Sequence, residues 1–127
     1  MNTIENVQSA QLLEDRCEVH FVCGGFWDTE LMAKFLALLD ATCKPLVKAG
    51  KPIYALGDFS KALPQDRATA AMVSDHLVNA RKAGLKRVAI VGATALMKIQ
   101  YKRVSAGMEV EYFDTTSAAL TWLREGR

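Results

Sequence analysis

A chain of 127 residues, 50% hydrophobic and 24% charged, has the makeup of one ordinary soluble domain, which excludes two domains or a mainly disordered chain. At this size folding buries about 68% of the surface that the unfolded chain exposes, enough for a core without disulfides or metal. A net charge of +2 excludes a strongly basic nucleic-acid binder, and no apolar run approaches the roughly 20 residues of a membrane span.

The chain opens Met1-Asn2-Thr3-Ile4-Glu5, without a basic segment leading into an apolar one, so no signal peptide is expected and the expected location is cytoplasmic. Val7 to Leu13 and Cys17 to Cys23 then read as two antiparallel strands joined by the polar turn Glu14-Asp15-Arg16. Gly24-Gly25 breaks the second strand. Asp28 or Thr29 stands at a helix N-cap, and Leu31, Phe35, Leu38, Leu39 and Leu46 keep the spacing of one buried helix face until Lys48-Ala49-Gly50 closes it. Pro52 to Leu56 is a third strand, left through the turn-rich Gly57-Asp58-Phe59-Ser60. Pro64-Gln65-Asp66 opens a second helix, Pro suiting a first helical turn, with Ala68, Ala71, Met72, Leu77 and Val78 as its inward set and Gly84 as its end. Arg87 to Val91 is apolar throughout after its first residue, as expected of a parallel strand buried on both faces. A third helix over about Thr94 to Ser105, a short strand Val110 to Phe113, caps at Asp114 to Ser117 and a last helix ending near Trp122-Leu123 complete the order.

That order, β-β-α-β-α-β-α-β-α, predicts an α/β fold: a mixed five-stranded sheet with helices, parallel in its later strands, with right-handed crossovers. No linker, repeat or low-complexity tract divides residues 1–127, so one domain is expected.

Four stretches resemble the SpoIIAA-like proteins of the STAS superfamily (sulfate transporter and anti-sigma-factor antagonist), a fold also compared with the CRAL-TRIO domain. They are Val22-Cys23-Gly24-Gly25-Phe26 before the first helix, Tyr54-Ala55-Leu56-Gly57-Asp58-Phe59-Ser60, Arg87-Val88-Ala89-Ile90-Val91-Gly92, and Glu111-Tyr112-Phe113-Asp114 followed by Ala119-Leu120-Thr121-Trp122-Leu123. The resemblance covers nearly the whole chain from about Val7 and implies the STAS fold. It does not bring a phosphorylation switch. Anti-sigma-factor antagonists carry Asp-Ser-Ser-Gly at the start of the second helix, where this chain has Lys61 to Thr69 without that motif, and Ser60 falls upstream of the modified position.

Three cysteines, Cys17, Cys23 and Cys43, without a Cys-x-x-Cys pair, and two distant histidines, His20 and His76, indicate neither a disulfide framework nor a metal site. Cys17 and Cys23 are expected as buried fillers on the strand face shared with Val19 and Phe21. Asp58, Ser60 and His76 supply an acid, a hydroxyl and an imidazole, and nothing enforces the contact a triad needs, so no catalytic residue is assigned. Asp58 and Ser60, with Gly92 and Thr94 at a strand-to-helix junction whose free N–H groups face outward, are candidates for a ligand or switch site; the plainer reading is a backbone turn and a helix cap.

Charge is divided unevenly. Residues 1–60 hold 5 Lys/Arg against 8 Asp/Glu, and residues 61–127 hold 11 against 6, so the halves carry −3 and +5. Seven basic residues and no acidic one fall between Arg81 and Arg103. Within that window Lys98, Lys102 and Arg103 form a basic ridge on the third helix, either a solvated face or a contact for an acidic protein or anionic lipid headgroups. Phe26-Trp27 and Trp122 are expected in the core or at an interface, Phe26-Trp27 equally as a dimer contact.

These features suggest a non-enzymatic module acting by protein contact or regulation, expected as a homodimer and with no cofactor. Two alternatives stay open. Small residues on the second helix, Ala68, Ala70, Ala71 and Ala80, would leave room for an apolar cavity and hence a carrier of a small apolar or lipid-like ligand; the other is a hydrolase-like enzyme.

Overall fold

The computed structural model describes residues 7–127, so the opening segment read for a signal peptide lies outside the described residues. The strands are β1 (Val7–Leu13), β2 (Glu18–Gly24), β3 (Ile53–Asp58), β4 (Leu85–Val91) and β5 (Glu109–Phe113). The helices are α1 (Thr29–Lys48), α2 (Arg67–Ala83), α3 (Ala95–Val104) and α4 (Thr116–Leu123). Each helix starts on a short polar side chain that accepts a backbone N–H three residues on: Asp28 from Leu31, Asp66 from Thr69, Thr94 from Met97 and Thr115 from Ala118.

The sheet order is β1-β2-β3-β4-β5, with β1 antiparallel to β2 and every later pair parallel, the mixed sheet expected from the sequence. Because side chains alternate across a strand, Val19, Phe21, Ile53, Ala55, Val88 and Ile90 point to one face, where they meet Met32, Phe35 and Leu46 of α1, Leu77 of α2 and Met97 and Tyr101 of α3. Leu56 and Ala89 point to the other face and meet Ala119 and Leu123 of α4. Val88, Ala89 and Ile90 are each at most 1% exposed, so β4 is covered on both sides, as its apolar run requires.

Several local expectations shift. β2 starts at Glu18, because Glu14–Arg16 winds into one tight 3-10 turn and Cys17 takes the left-handed conformation (φ 55°) that ends it. Cys17 therefore packs against the core from a turn and not from the strand face. β3 runs on through Gly57 to Asp58, its pairing with β4 carrying it two residues past Leu56. Pro64 stays outside α2, which begins only after Asp66. On α2 Leu77 is buried and Met72 packs half-buried against the core, as expected, with Thr69 buried and Val73 and Ala80 packed beside them, whereas Ala68 and Ala71 face outward and Val78 is 53% exposed. An Ala-rich helix has little apolar contrast between its faces, so its rotation is set by what it packs against. On α1, Leu38 is half-exposed while Met32 takes a place in the core.

Gly57 is where two aromatic rings meet the sheet. A Cβ there would stand 2.5 Å from Phe21 Cζ and 3.1 Å from Phe59 Cε1, and those rings pack edge-on with centroids 6.1 Å apart. Gly57→Ala is therefore expected to destabilise the fold by about 2 kcal/mol through overpacking. A urea midpoint equal to that of the parent chain would contradict this.

Candidate functional site

Asp58, Ser60, Gly92 and Thr94 converge at the carboxyl ends of β3 and β4. Asp58 Oδ1 accepts the Ser60 backbone N–H at 2.9 Å, Phe59 donates its N–H to the Val91 carbonyl at 2.8 Å, and Gly92 (φ 77°) lies so close to Ser60 that an added Cβ would stand 3.0 Å from the Ser60 Cβ. Thr94 Oγ1 accepts from Met97 N–H at 3.2 Å. The sequence thus brings together residues that belong together in space, but the Asp58 carboxylate and the Thr94 hydroxyl are engaged in a turn and a cap, and Ser60 contributes its backbone N–H.

His76 does not join them. It lies in the α1–α2 cleft beside Ile53 and Leu85, at the opening ends of β3 and β4, and its Nε2 meets Asp40 Oδ1 at 2.7 Å. Asp58 and Ser60 stand at the far end of β3, so the structure assembles no Asp58–Ser60–His76 triad. Neither Cys23 nor Cys43 is poised as a nucleophile. Burial, with the Asp58 carboxylate nearby, pushes Cys23 up to about 12, and burial with Asp40 nearby pushes Cys43 up to about 11. Among the described residues the three cysteines are free and no group of three His, Cys, Asp or Glu is placed to hold a metal ion.

An apolar pocket of about 80 Å³ opens where the ends of β2 and β3 meet α1, α2 and α3, with Phe35, Trp27, Ala70, Met97 and Tyr101 among its walls. Its rim is stitched by Gln65, whose side chain accepts the Trp27 backbone N–H at 2.8 Å and donates to the Gly25 carbonyl at 3.1 Å. Gln65 and Gln100 exchange two further bonds: Gln65 N–H to Gln100 Oε1 at 2.8 Å, and Gln100 Nε2 to the Gln65 carbonyl at 2.6 Å. Trp27 is buried, its indole N–H donating to Gly24 O at 2.8 Å, whereas Phe26 beside it is 53% exposed. Pockets that enclose drug-sized ligands run to roughly 300 Å³ or more. This one is too small for a lipid unless the Gln65 stitching opens.

The ridge on α3 divides. At about 100° per residue, Leu96, Ile99 and Arg103 fall within roughly 60° of each other, while Lys98 and Lys102 turn toward the β5 edge. Lys102 Nζ lies over the Tyr112 ring, 5.6 Å from its centroid. Leu96 and Ile99 are 67% and 54% exposed, so the outward face of α3 is an apolar pair flanked by cations. Across the groove to α2 lie Val78, Arg81 and Lys82, with Arg81 donating to the Gly107 carbonyl at 2.7 Å. The charge count located the basic residues; the exposed leucine and isoleucine between them were missed, because helical periodicity alone does not tell which stripe is covered.

Glu18 is the other feature that the sequence did not single out. Its side chain has no exposure, yet it is an acid among basic groups: Arg124 Nε and Nη2 donate to it at 2.7 and 2.9 Å, Arg127 Nη2 donates at 2.7 Å, and His20 Nε2 lies 2.9 Å away. Burial opposes the charge, but the hydrogen bonds from Arg124, His20 and Arg127 outweigh it and hold the carboxyl down at about 2. The Arg127 guanidinium also stacks 3.9 Å from the Tyr54 ring centroid. The result is a clamp between β2 and the segment after α4, structural in character because every oxygen of Glu18 is occupied.

A family model described as SpoIIAA-like matches residues 19–124. A crystal structure from Shewanella loihica PV-4, of an uncharacterized protein from the DUF3478 family with a SpoIIAA-like fold, aligns with a TM-score of 0.65 and 25% identity, covering 97% of this chain and 97% of that one. No curated protein matches the chain.

Proposed function

The chain belongs to the SpoIIAA-like family, and from that premise we propose that it acts without catalysis, as a contact module that docks an acidic protein on the outward face of α3. The observation that carries this reading is the exposed pair Leu96 and Ile99, which shares its helix face with Arg103 and has Lys102 on one side, an apolar pair with cations beside it. Such a surface takes its contact energy from the apolar pair and its choice of partner from charge. The chain works in this reading as a pair of copies in the cytoplasm, the free thiols suiting a reducing compartment. No helix among the described residues is long and apolar enough to cross a membrane.

Two substitutions test the docking face. A purified acidic partner, once captured and identified, is expected to bind at least tenfold more weakly to Arg103→Glu and to Ile99→Glu, and to lose affinity as salt rises. Binding unchanged in both variants and insensitive to salt would remove α3 from consideration. The carrier alternative is read separately by native mass spectrometry of protein taken from its own host. The contact module is expected to give a clean apo mass, and a retained apolar ligand would favour the carrier.

A further inference from the structure

The two edges of the sheet are defended unequally. β5 carries Glu109 and Glu111 in five residues, and Glu109 pairs with Arg87 at 3.2 Å. β1, at the other edge, is the seven-residue run Val-Gln-Ser-Ala-Gln-Leu-Leu, without a charge or a proline. Its register with β2 is continuous from Val7↔Gly24 to Leu13↔Glu18, without a bulge. Natural edge strands are blunted by charge, proline, bulges or brevity, because a long bare edge offers a row of unpaired N–H and C=O groups to any extended chain. β1 has none of these defences, and among the described residues nothing pairs with its outer side.

The helix above that edge carries exposed apolar residues of its own, Leu38 and Pro45. Gln8 Nε2 donates to the Leu31 carbonyl at 2.9 Å, tying the start of α1 to β1. Leu31, Leu38 and Pro45 recur every seven residues and so stay within about 40° of one another along one flank. The opposite flank is the one that meets α2, through Asp40 and His76, so the Leu31–Leu38–Pro45 line lies on the β1 side of the helix, where Leu31 packs partly on the core and the exposed Lys34 stands beside Leu38. Leu38 is 37% exposed, and Phe26, 53% exposed, shares a surface depression with Leu31 at the head of the line.

We propose that β1 pairs antiparallel with β1 of a second copy, joining two sheets into one of ten strands, with the apolar flanks of the two α1 helices meeting over the join. A two-fold contact must be self-complementary, and an uncharged strand opposes no like charges when it meets itself. A two-fold through Ala10 sets Val7 opposite the partner's Leu13 and Ser9 opposite the partner's Gln11. This deepens the reading of the chain as a module that works in pairs, and it uses a different surface from α3.

Sedimentation and light scattering of the full chain at micromolar concentration are expected to give twice the 14.0 kDa of one chain. Hydrogen exchange should show β1 amides whose protection falls on dilution. Ser9→Lys with Gln11→Lys places cations at two exposed positions of the edge and is expected to abolish the dimer while leaving the far-UV spectrum unchanged. Leu38→Lys, on the helix flank, should do the same and decides the matter if the edge variant does not fold. Ile99→Glu should leave the dimer whole, so loss of docking at α3 and loss of pairing at β1 are read apart. A 14.0 kDa species in the parent chain overturns the proposal, as does a dimer that survives both sets of lysines. Protection of the β1 amides that point away from β2, unchanged on dilution to the monomer, also overturns it.

Discussion

Glu18→Gln is expected to destabilise the protein by about 3 kcal/mol near pH 7. Removing the charge leaves Arg124 and Arg127 facing a neutral amide in a site that gives Glu18 no contact with water. Breaking one side of a buried pair costs about 3–5 kcal/mol, and the lower end applies because both guanidiniums keep part of their surface in solvent. The same substitution isolates a pH dependence. Glu18 has a folded pKa of about 2 against an ordinary value of 4.5, so its contribution is present in full above 4.5 and is lost as the pH falls from 4.5 toward 2, where the unfolded chain takes up the proton first. Urea midpoints of the parent and Glu18→Gln proteins should therefore differ widely near pH 7 and draw together as the pH falls from 4.5 toward about 2. A gap of constant size across that range would show that the loss comes from packing and not from the ion pairs.

Leu123→Ala is expected to cost about 3 kcal/mol and to release α4. Leu123 has no exposure, and with Ala119 it supplies the buried contact of an eight-residue helix to Leu56 and Ala89. Removing its branched end leaves a cavity that neighbours fill only in part, the usual origin of losses of about 2–5 kcal/mol. The effect should spread in two directions. Trp122 stacks beside Phe113 with centroids 5.7 Å apart and under the Arg87 guanidinium at 5.0 Å, so its near-UV signal should weaken. Arg124 and Arg127 follow α4 directly, so its release also loosens their hold on Glu18. The double variant Leu123→Ala with Glu18→Gln should then lose less than the sum of the single losses, by about 1 kcal/mol or more. Strict additivity would mean that the clamp forms whether or not α4 is seated.

The element order was legible because each signal is local. Asp28, Thr94 and Thr115 cap the helices that follow them, and the unbroken apolar run of β4 announces cover on both faces. Composition likewise placed the surplus of cations after residue 80. Rotation and partnership were not legible. The inward face of α2 turned on Thr69 and Leu77 and not on Ala68 and Ala71, because α1, α3 and the sheet decide which stripe is buried. Phe26 and Trp27 are neighbours with opposite fates, separated by a bond from the Trp27 indole to Gly24 and by the distant Gln65 that fastens the Trp27 backbone.

The sequence by itself determined the order of strands and helices, their caps and the mixed sheet, since these follow from periodicity and from short-range hydrogen bonding. Only the tertiary structure decided what the polar and half-apolar residues do. Glu18 reads as an ordinary strand acid until Arg124, 106 positions away, is brought against it. Leu38 reads as part of the buried face of α1 and proves 37% exposed, and Leu96 and Ile99, which periodicity did not single out, stand 67% and 54% exposed. Burial depends on contacts between segments far apart in the chain, and periodicity carries no record of which segments those are.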